Sequence, residues 1–298
     1  MRAFNTQHTI NAPCSISGRG YWTGKPITLC FLPAEAEEGI TFLRSDLPHT
    51  QAVQAVSEHA AGLSMRTQIG SESLKFDMVE HVMAALHGMG VDNVRVVADS
   101  EEMPGMDGSS FHLALKLQGV GLRPQSATRQ YFRINTPLRV GDDQRWILAE
   151  PLDADGWEVE YQLDYGPGSP IGQASFRTRV TPETFLRELA PARTFITEAE
   201  AQYLQSQGLA PHATHQDLLV FAEHGPIDNR LRFQDECARH KALDLVGDLA
   251  LAGVHLLGRI TACKSGHQLN AEMTRLLRRN YLEQHARESH SSSKRVAA

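Results

Sequence analysis

Glu236-Cys-Ala-Arg-His240-Lys-Ala-Leu-Asp244-Leu-Val-Gly-Asp248 places an imidazole and two carboxylates four residues apart in a stretch otherwise rich in apolar residues. At about 100° per residue a step of four returns nearly to the same helical face, so His240 and Asp244 can close on one ion, with Asp248 a turn further on. Ala242, Leu243, Leu245, Val246, Leu249 and Ala250 carry the helix into the protein interior. Carboxylates are rarely buried unless paired or ligated, so the stripe reads as a metal site inside a core helix.

Outward from this helix, Val254 to Ala262 reads as a strand, Lys264-Ser-Gly-His267 as a loop, and the residues to about His285 as a closing helix. The first half ends in the same order. Phe76 to His87 carries apolar residues at helical spacing and stops at Gly88 and Gly90, Val94 to Ala98 reads as a buried strand, and Phe111 to Gln118 as a second helix. Each half opens with β-structure: Ile27 to Leu32 and Ile40 to Leu43 in the first, Tyr131 to Val140, Arg145 to Glu150, Trp157 to Asp164 and Ala174 to Arg179 in the second. Thr181 caps a helix with Pro182 at its first position, Glu198 to Gln207 reads as another, and Leu218 to Phe221 and Leu231 to Phe233 flank the turn Gly225 to Asn229. The shared order predicts an α+β protein of two similar units. Composition turns to Gly, Pro, Ser and Arg over residues 119–130, giving units 1–125 and 126–287, and the Ser-rich, basic end 288–298 reads as a disordered tail.

At 298 residues with 41% hydrophobic content the chain can bury a real core. With 29 basic against 35 acidic residues it is formally −6, which argues against a general nucleic-acid surface, and no protein partner is evident. No apolar run approaches the roughly 20 residues that cross a bilayer, and Met1 to Ile10 has no secretion signal, so we expect a cytoplasmic protein without stable membrane insertion. Cys14, Cys30, Cys237 and Cys263 are scattered, which gives no support to a thiolate cluster.

A zinc hydrolase takes three protein ligands and keeps one position open, and His240 with Asp244 supplies two. His81 in Val79-Glu-His-Val82 is the best third ligand, because the carboxylate of Glu80 stands beside it as a base for water. A metal lowers the pKa of its water from about 15.7 to about 7, a large aid to hydrolysis. His267 follows a strand in a loop, where an acid for the leaving group can sit, and Asp248 is free to hydrogen-bond it and raise its pKa. Gly18 to Lys25 fails as a phosphate loop because residue 19 is Arg, and Ser109 and Ser110 lack the turn of a serine hydrolase.

Val79-Glu-His81, Met106-Asp-Gly-Ser109, Ala192-Arg-Thr-Phe195, Arg239-His-Lys-Ala-Leu-Asp244 with Gly247-Asp248, and Lys264-Ser-Gly-His267 together resemble the UDP-3-O-acyl-N-acetylglucosamine deacetylase family, from about Thr9 to Leu282. The resemblance implies two α+β units with helices sandwiched between sheets, and a zinc amidase of lipid A biosynthesis that acts on a UDP-linked, acylated amino sugar and releases acetate. It implies His81, His240 and Asp244 as zinc ligands, Glu80 as the base, His267 as the acid with Asp248 as its partner, Thr194 as a donor to the oxyanion, and Lys241 near substrate oxygens. Phe195 and the segment around Ala201 to Leu209 are then candidates for contact with the acyl chain. Two stretches depart from the family pattern: its Gly-Leu-His-Thr/Ser-Gly reads Gly20-Tyr21-Trp22-Thr23-Gly24, and a Gly-Gly-Ser-like stretch reads Pro211-His-Ala-Thr214. Tyr21 and Trp22 are expected at the substrate. Iron(II) is an alternative to zinc, since both accept nitrogen and oxygen ligands. A related zinc amidase with another N-acyl sugar, and a binding protein in which the ion only staples the halves, are the competing readings.

Overall fold

The computed structural model describes residues 6–48 and 51–296, with side chains described as far as residue 287. Its helices are α1 (Glu80–Gly88), α2 (Phe111–Val120), α3 (Pro182–Thr184), α4 (Glu198–Ser206), α5 (Glu236–Ala250) and α6 (His267–Val296).

The fold is α+β, and the two halves repeat one topology. In the first, a five-stranded sheet runs Cys14–Arg19, Pro26–Pro33, Val94–Ala98, Ile40–Arg44, Val53–Gln54. In the second the order is Leu138–Gly141, Trp146–Glu150, His255–Cys263, Trp157–Asp164, Gln173–Arg179. In both, the last strand inserts at the centre, antiparallel to the second strand and parallel to the third. That strand is entered from a buried helix, α1 or α5, and leads on to α2 or α6. Helices α1 and α5 pack on each other, α5 also lies on the second sheet, and one apolar cluster runs through both halves. Gly247 permits this approach, because a Cβ there would stand 2.0 Å from the Glu80 carbonyl oxygen.

Each half carries an insert. Ala60–Gly62, Thr67–Ser71 and Leu74–Asp77 form a small antiparallel sheet in the first; Phe195–Thr197, α4 and Leu219–Ala222 form a parallel β-α-β crossover in the second, extended by Gly225–Pro226.

Several boundaries differ from the sequence reading. The helix expected from Phe76 starts at Glu80: Phe76 pairs with Ile69 in the small sheet, and Met78 at φ 63° turns the chain into the helix. Tyr131 to Val140 splits into Tyr131–Arg133 and Leu138–Gly141 around Pro137, which has no N–H to donate. Within residues 119–130, expected as the boundary between the units, Leu122–Thr128 forms a strand that pairs antiparallel with Thr6–Ile10. Leu231 to Phe233, expected to flank the turn Gly225 to Asn229, is an irregular segment leading into α5. Thr181 does cap a helix through a capping box with Thr184, but the α-helix lasts one turn before a π-type turn over Phe185–Leu189. Of the segment 288–298, expected as a disordered tail, residues 288–296 continue α6 and the last two lie outside the described residues.

Candidate active site

Glu80 and His81 are the first residues of α1, a helix apolar on nearly every side and therefore buried whole. That burial takes the polar first turn with it, leaving Glu80 and His81 only 4% and 6% exposed. Desolvation raises the Glu80 carboxyl above its ordinary pKa, against the pull of His267 and His81. The backbone N–H of Thr67 donates to Glu80 Oε2 at 2.9 Å, and the Thr67 hydroxyl donates to Asp248 Oδ1 at 2.6 Å. One residue of the first insert thus holds two buried carboxylates.

Helix α5 brings His240, Lys241, Asp244 and Asp248 to the facing wall. His240 Nε2 lies 3.3 Å and His81 Nε2 3.5 Å from the same oxygen, Asp244 Oδ1, and the two imidazoles meet edge to face at 5.2 Å. His240 Nδ1 lies 3.1 Å from the Ala192 carbonyl. Only a protonated nitrogen can bond there, so Nε2 keeps its lone pair toward Asp244. Burial pushes the His240 pKa down to about 3. Burial works against the Asp244 carboxylate too, but His240 and Lys241 outweigh it and hold its pKa well below the usual range. Lys241 Nζ donates to Asp244 Oδ2 at 2.9 Å; that attraction overcomes desolvation and raises the ammonium pKa.

These residues fit a metal ion. Their three donor atoms lie within 4.8 Å of one another. Bonds of about 2.1 Å in a tetrahedral arrangement set donors about 3.4 Å apart, close to the 3.3 and 3.5 Å separations from Asp244 Oδ1. Two imidazole nitrogens and one carboxylate oxygen form a donor set suited to zinc or iron(II).

His267, the first residue of α6, sits across from Glu80. Its Nδ1 lies 2.9 Å from Asp248 Oδ2 and 3.2 Å from the Thr67 hydroxyl, while Nε2 is 4.0 Å from Asp244 Oδ2. Burial opposes its charge, but Asp248, with Glu80 and Asp244 behind it, lifts the pKa to about 9. Asp248 is fixed in turn by Asn270 Nδ2 at 2.8 Å. Tyr161 holds the Lys264–Gly266 loop through a 2.5 Å bond to the Ser265 carbonyl.

The remaining expected residues border the same space. Thr194 donates both its N–H and its hydroxyl to the Gly108 carbonyl, at 2.7 and 3.0 Å, so that hydroxyl hydrogen is engaged by Gly108. The preceding residue, Arg193, pairs at 2.8 Å with Glu236, whose side chain is fully buried, and so pins this segment to the start of α5. The Phe195 ring centre lies 6.1 Å from the His240 ring and 5.8 Å from Lys241 Nζ. Tyr21 donates to the Asp217 carbonyl at 2.6 Å, and the Arg66 guanidinium lies 4.8 Å from the Trp22 ring centre.

Glu80, His81, Thr194, Phe195, His240, Lys241, Asp244, His267, Tyr21 and Trp22 all line one cavity of about 880 Å³, extended between α4 and the second insert's strands by Ala201 to Gln205. Asp248 is not in its wall and stands behind His267. Thr67, Asn270 and Tyr161 were absent from the sequence reading. No local motif marks them, because the Thr67–Asp248 bond joins residues 181 positions apart.

Comparison with known proteins gives a consistent result. A family model described as UDP-3-O-acyl N-acetylglycosamine deacetylase matches residues 7–279. Proteins named UDP-3-O-acyl-N-acetylglucosamine deacetylase are similar along most of their length: one from an Anaeromyxobacter species is 38% identical over 270 residues, covering 90% of this chain and 87% of its own. One from Syntrophotalea carbinolica is 37% identical over 268 residues (90% and 86%), and one from Brucella ovis 37% over 273 (91% and 94%).

Proposed function

The chain belongs to the UDP-3-O-acyl-N-acetylglycosamine deacetylase family, a hydrolase acting on an amide, and from that premise we propose a metal-dependent removal of the N-acetyl group of UDP-3-O-acyl-N-acetylglucosamine, releasing acetate, in lipid A biosynthesis. The observation that carries this reading is the meeting of His81 from α1 with His240 and Asp244 from α5, beside Glu80, in the wall of a large cavity.

Zinc is the proposed ion, with iron(II) as the alternative; when bound it would acidify water and polarise the amide carbonyl. Glu80 takes the proton of the attacking water, a role favoured by a pKa raised through burial. Thr194 turns its hydroxyl from Gly108 toward the developing oxyanion, where a donor aimed at the charge is most effective. His267, charged because Asp248 faces it, gives its proton to the departing nitrogen as the carbon–nitrogen bond breaks. Asp248 and Thr67 orient that ring. Lys241 remains beside Asp244 as a fixed positive charge toward substrate oxygens, and Phe195, Tyr21 and Trp22 contact the sugar nucleotide and its acyl chain, with the α4 insert receiving the chain's far end. No helix among the described residues is long and apolar enough to cross a membrane, and we place the reaction in the cytoplasm, where a nucleotide-activated sugar is at hand.

The test is acetate release from UDP-3-O-acyl-N-acetylglucosamine by the purified protein before and after chelation, and by Glu80→Gln. Chelation should abolish turnover, and Glu80→Gln should keep the metal and lose about 100- to 10,000-fold in rate. Metal binding without hydrolysis of the amide by the unaltered protein would sink the proposal and favour an ion that only joins the halves. A second reading, another N-acyl sugar as substrate, is favoured by one observation: the two stretches that depart from the family pattern meet, His212 packing so closely on Gly24 that a Cβ there would stand 2.2 Å from its ring. A panel of UDP-linked and free N-acetyl sugars separates the two.

A further inference from the structure

We infer that Trp22 sets the size of the N-acyl group this site accepts, as a rigid apolar wall at the reacting end of the cavity. This rests on the amide-hydrolase reading above and goes on to its specificity.

Position comes first. Trp22 lines the cavity together with Glu80, His81 and Met78, and its ring lies 4.8 Å from the guanidinium of Arg66. Arg66 directly precedes Thr67, whose N–H holds Glu80. The indole therefore stands on the side of the cavity formed by the first insert, which also holds Glu80. With the carbonyl oxygen turned to Thr194 and the nitrogen to His267, the third substituent of the carbonyl carbon, the acyl alkyl group, faces the wall that remains.

Rigidity comes second. The Trp22 backbone N–H donates to Glu102 Oε1 at 2.8 Å, and Thr23 donates its backbone N–H and hydroxyl to Glu102 Oε2 at 3.0 and 2.7 Å, so the backbone that carries the indole is fixed. Glu102 is itself buried, and Gly20 leaves room for it, since a Cβ there would stand 2.1 Å from Oε2. Behind the ring, Arg66 Nε lies 3.5 Å from Asp77 Oδ1, so the guanidinium is held where it blocks retreat of the indole.

Chemistry comes third. Trp22 Nε1 is buried without a hydrogen-bond partner, so its polar edge is turned into protein. What the side chain offers the cavity is hydrocarbon, which can exclude or fit an alkyl group and cannot recognise a hydroxyl.

The experiment compares kcat/KM of the metal-replete enzyme, Trp22→Ala, Trp22→Leu and Arg66→Met on UDP-3-O-acyl-glucosamine carrying N-acetyl, N-propionyl or N-butyryl groups. The parent should prefer acetyl to propionyl by about tenfold or more, the discrimination one methylene allows. Trp22→Ala should shrink that ratio by about tenfold, with Trp22→Leu and Arg66→Met in between. A ratio within one preparation is indifferent to how much of it is folded. Unchanged ratios in the Trp22 variants overturn the inference, as does a parent that cleaves propionyl as readily as acetyl. A folded Trp22→Ala inactive on all three also overturns it, and if that variant misfolds the other two decide. A parent inactive on every substrate instead defeats the amide-hydrolase reading.

Discussion

Gly247→Ala tests whether the contact between α1 and α5 sets the catalytic geometry. The added Cβ would lie 2.0 Å from the Glu80 carbonyl oxygen, and ordinary contact begins near 3.4 Å, so the helices must part by about 1.4 Å. Alanine inside a helix is favoured over glycine by about 1 kcal/mol. Overpacking costs about 1–3 kcal/mol, and here the upper end applies because the obstructing atom is backbone and has no rotamer to change. The net expectation is a loss of up to about 2 kcal/mol, or several degrees in Tm at about 2–4 °C per kcal/mol. Activity should suffer more than stability. Glu80 and His81 ride on α1 while His240 and Asp244 ride on α5, so the displacement separates the proposed base and one proposed ligand from the other two; a misplacement of about 1 Å can cost 100-fold in rate. Gly119→Ala in α2 is the control, because nothing lies within 4 Å of its Cβ position; it should be neutral or slightly stabilising. Thermal melts and kcat on the same preparations decide. A Gly247→Ala protein as stable and as fast as the parent would refute the argument.

Three further outcomes follow from buried polar groups. Thr67→Val keeps the N–H that holds Glu80 but removes the hydroxyl from Asp248, so kcat should fall about 10- to 100-fold with metal content unchanged, and an unaltered rate would exclude an orienting role. Arg193→Met leaves the Glu236 carboxylate buried without its cation and should cost about 3–5 kcal/mol in denaturant unfolding; adding Glu236→Leu should recover much of the loss, and failure to do so would mean the pair is not the cause. His87 and His255, stacked at 4.6 Å near Asp92, Arg129 and His8, both have pKa values lowered by burial. Their unfolded forms take protons first, so the stability they contribute is whole above about pH 6.5 and declines as pH falls, by up to about 1.4 kcal/mol per unit for each. Urea melts at pH 8, 6 and 5 should show this slope, and His87→Phe should flatten it; equal slopes would contradict the assignment.

The stripe of His240, Asp244 and Asp248 was legible from spacing alone, because a helix converts steps of four into one face whatever surrounds it. The repeated helix, strand, helix order was legible for a similar reason: apolar periodicity is local. Glu80 and His81 were marked by chemistry, two functional groups side by side within an apolar run. Local reading failed where a partner across the chain overrode it. Phe76 carries helical spacing, yet pairing with Ile69 makes it a strand, and the Gly-, Pro- and Ser-containing stretch around Leu122–Thr128 shows no strand signal until Thr6–Ile10 gives it a partner. Sequence by itself determined which side chains hold lone pairs, charge or apolar bulk, and on which face of their own element they lie. Only the tertiary structure decided that His81 comes within 3.5 Å of Asp244, that Thr67 bridges to Asp248, and that Tyr21 and Trp22 share a wall with residues of the α4 insert. Those meetings depend on helix packing and strand order, which are set by burial across the whole chain and leave no mark in the spacing of any one segment.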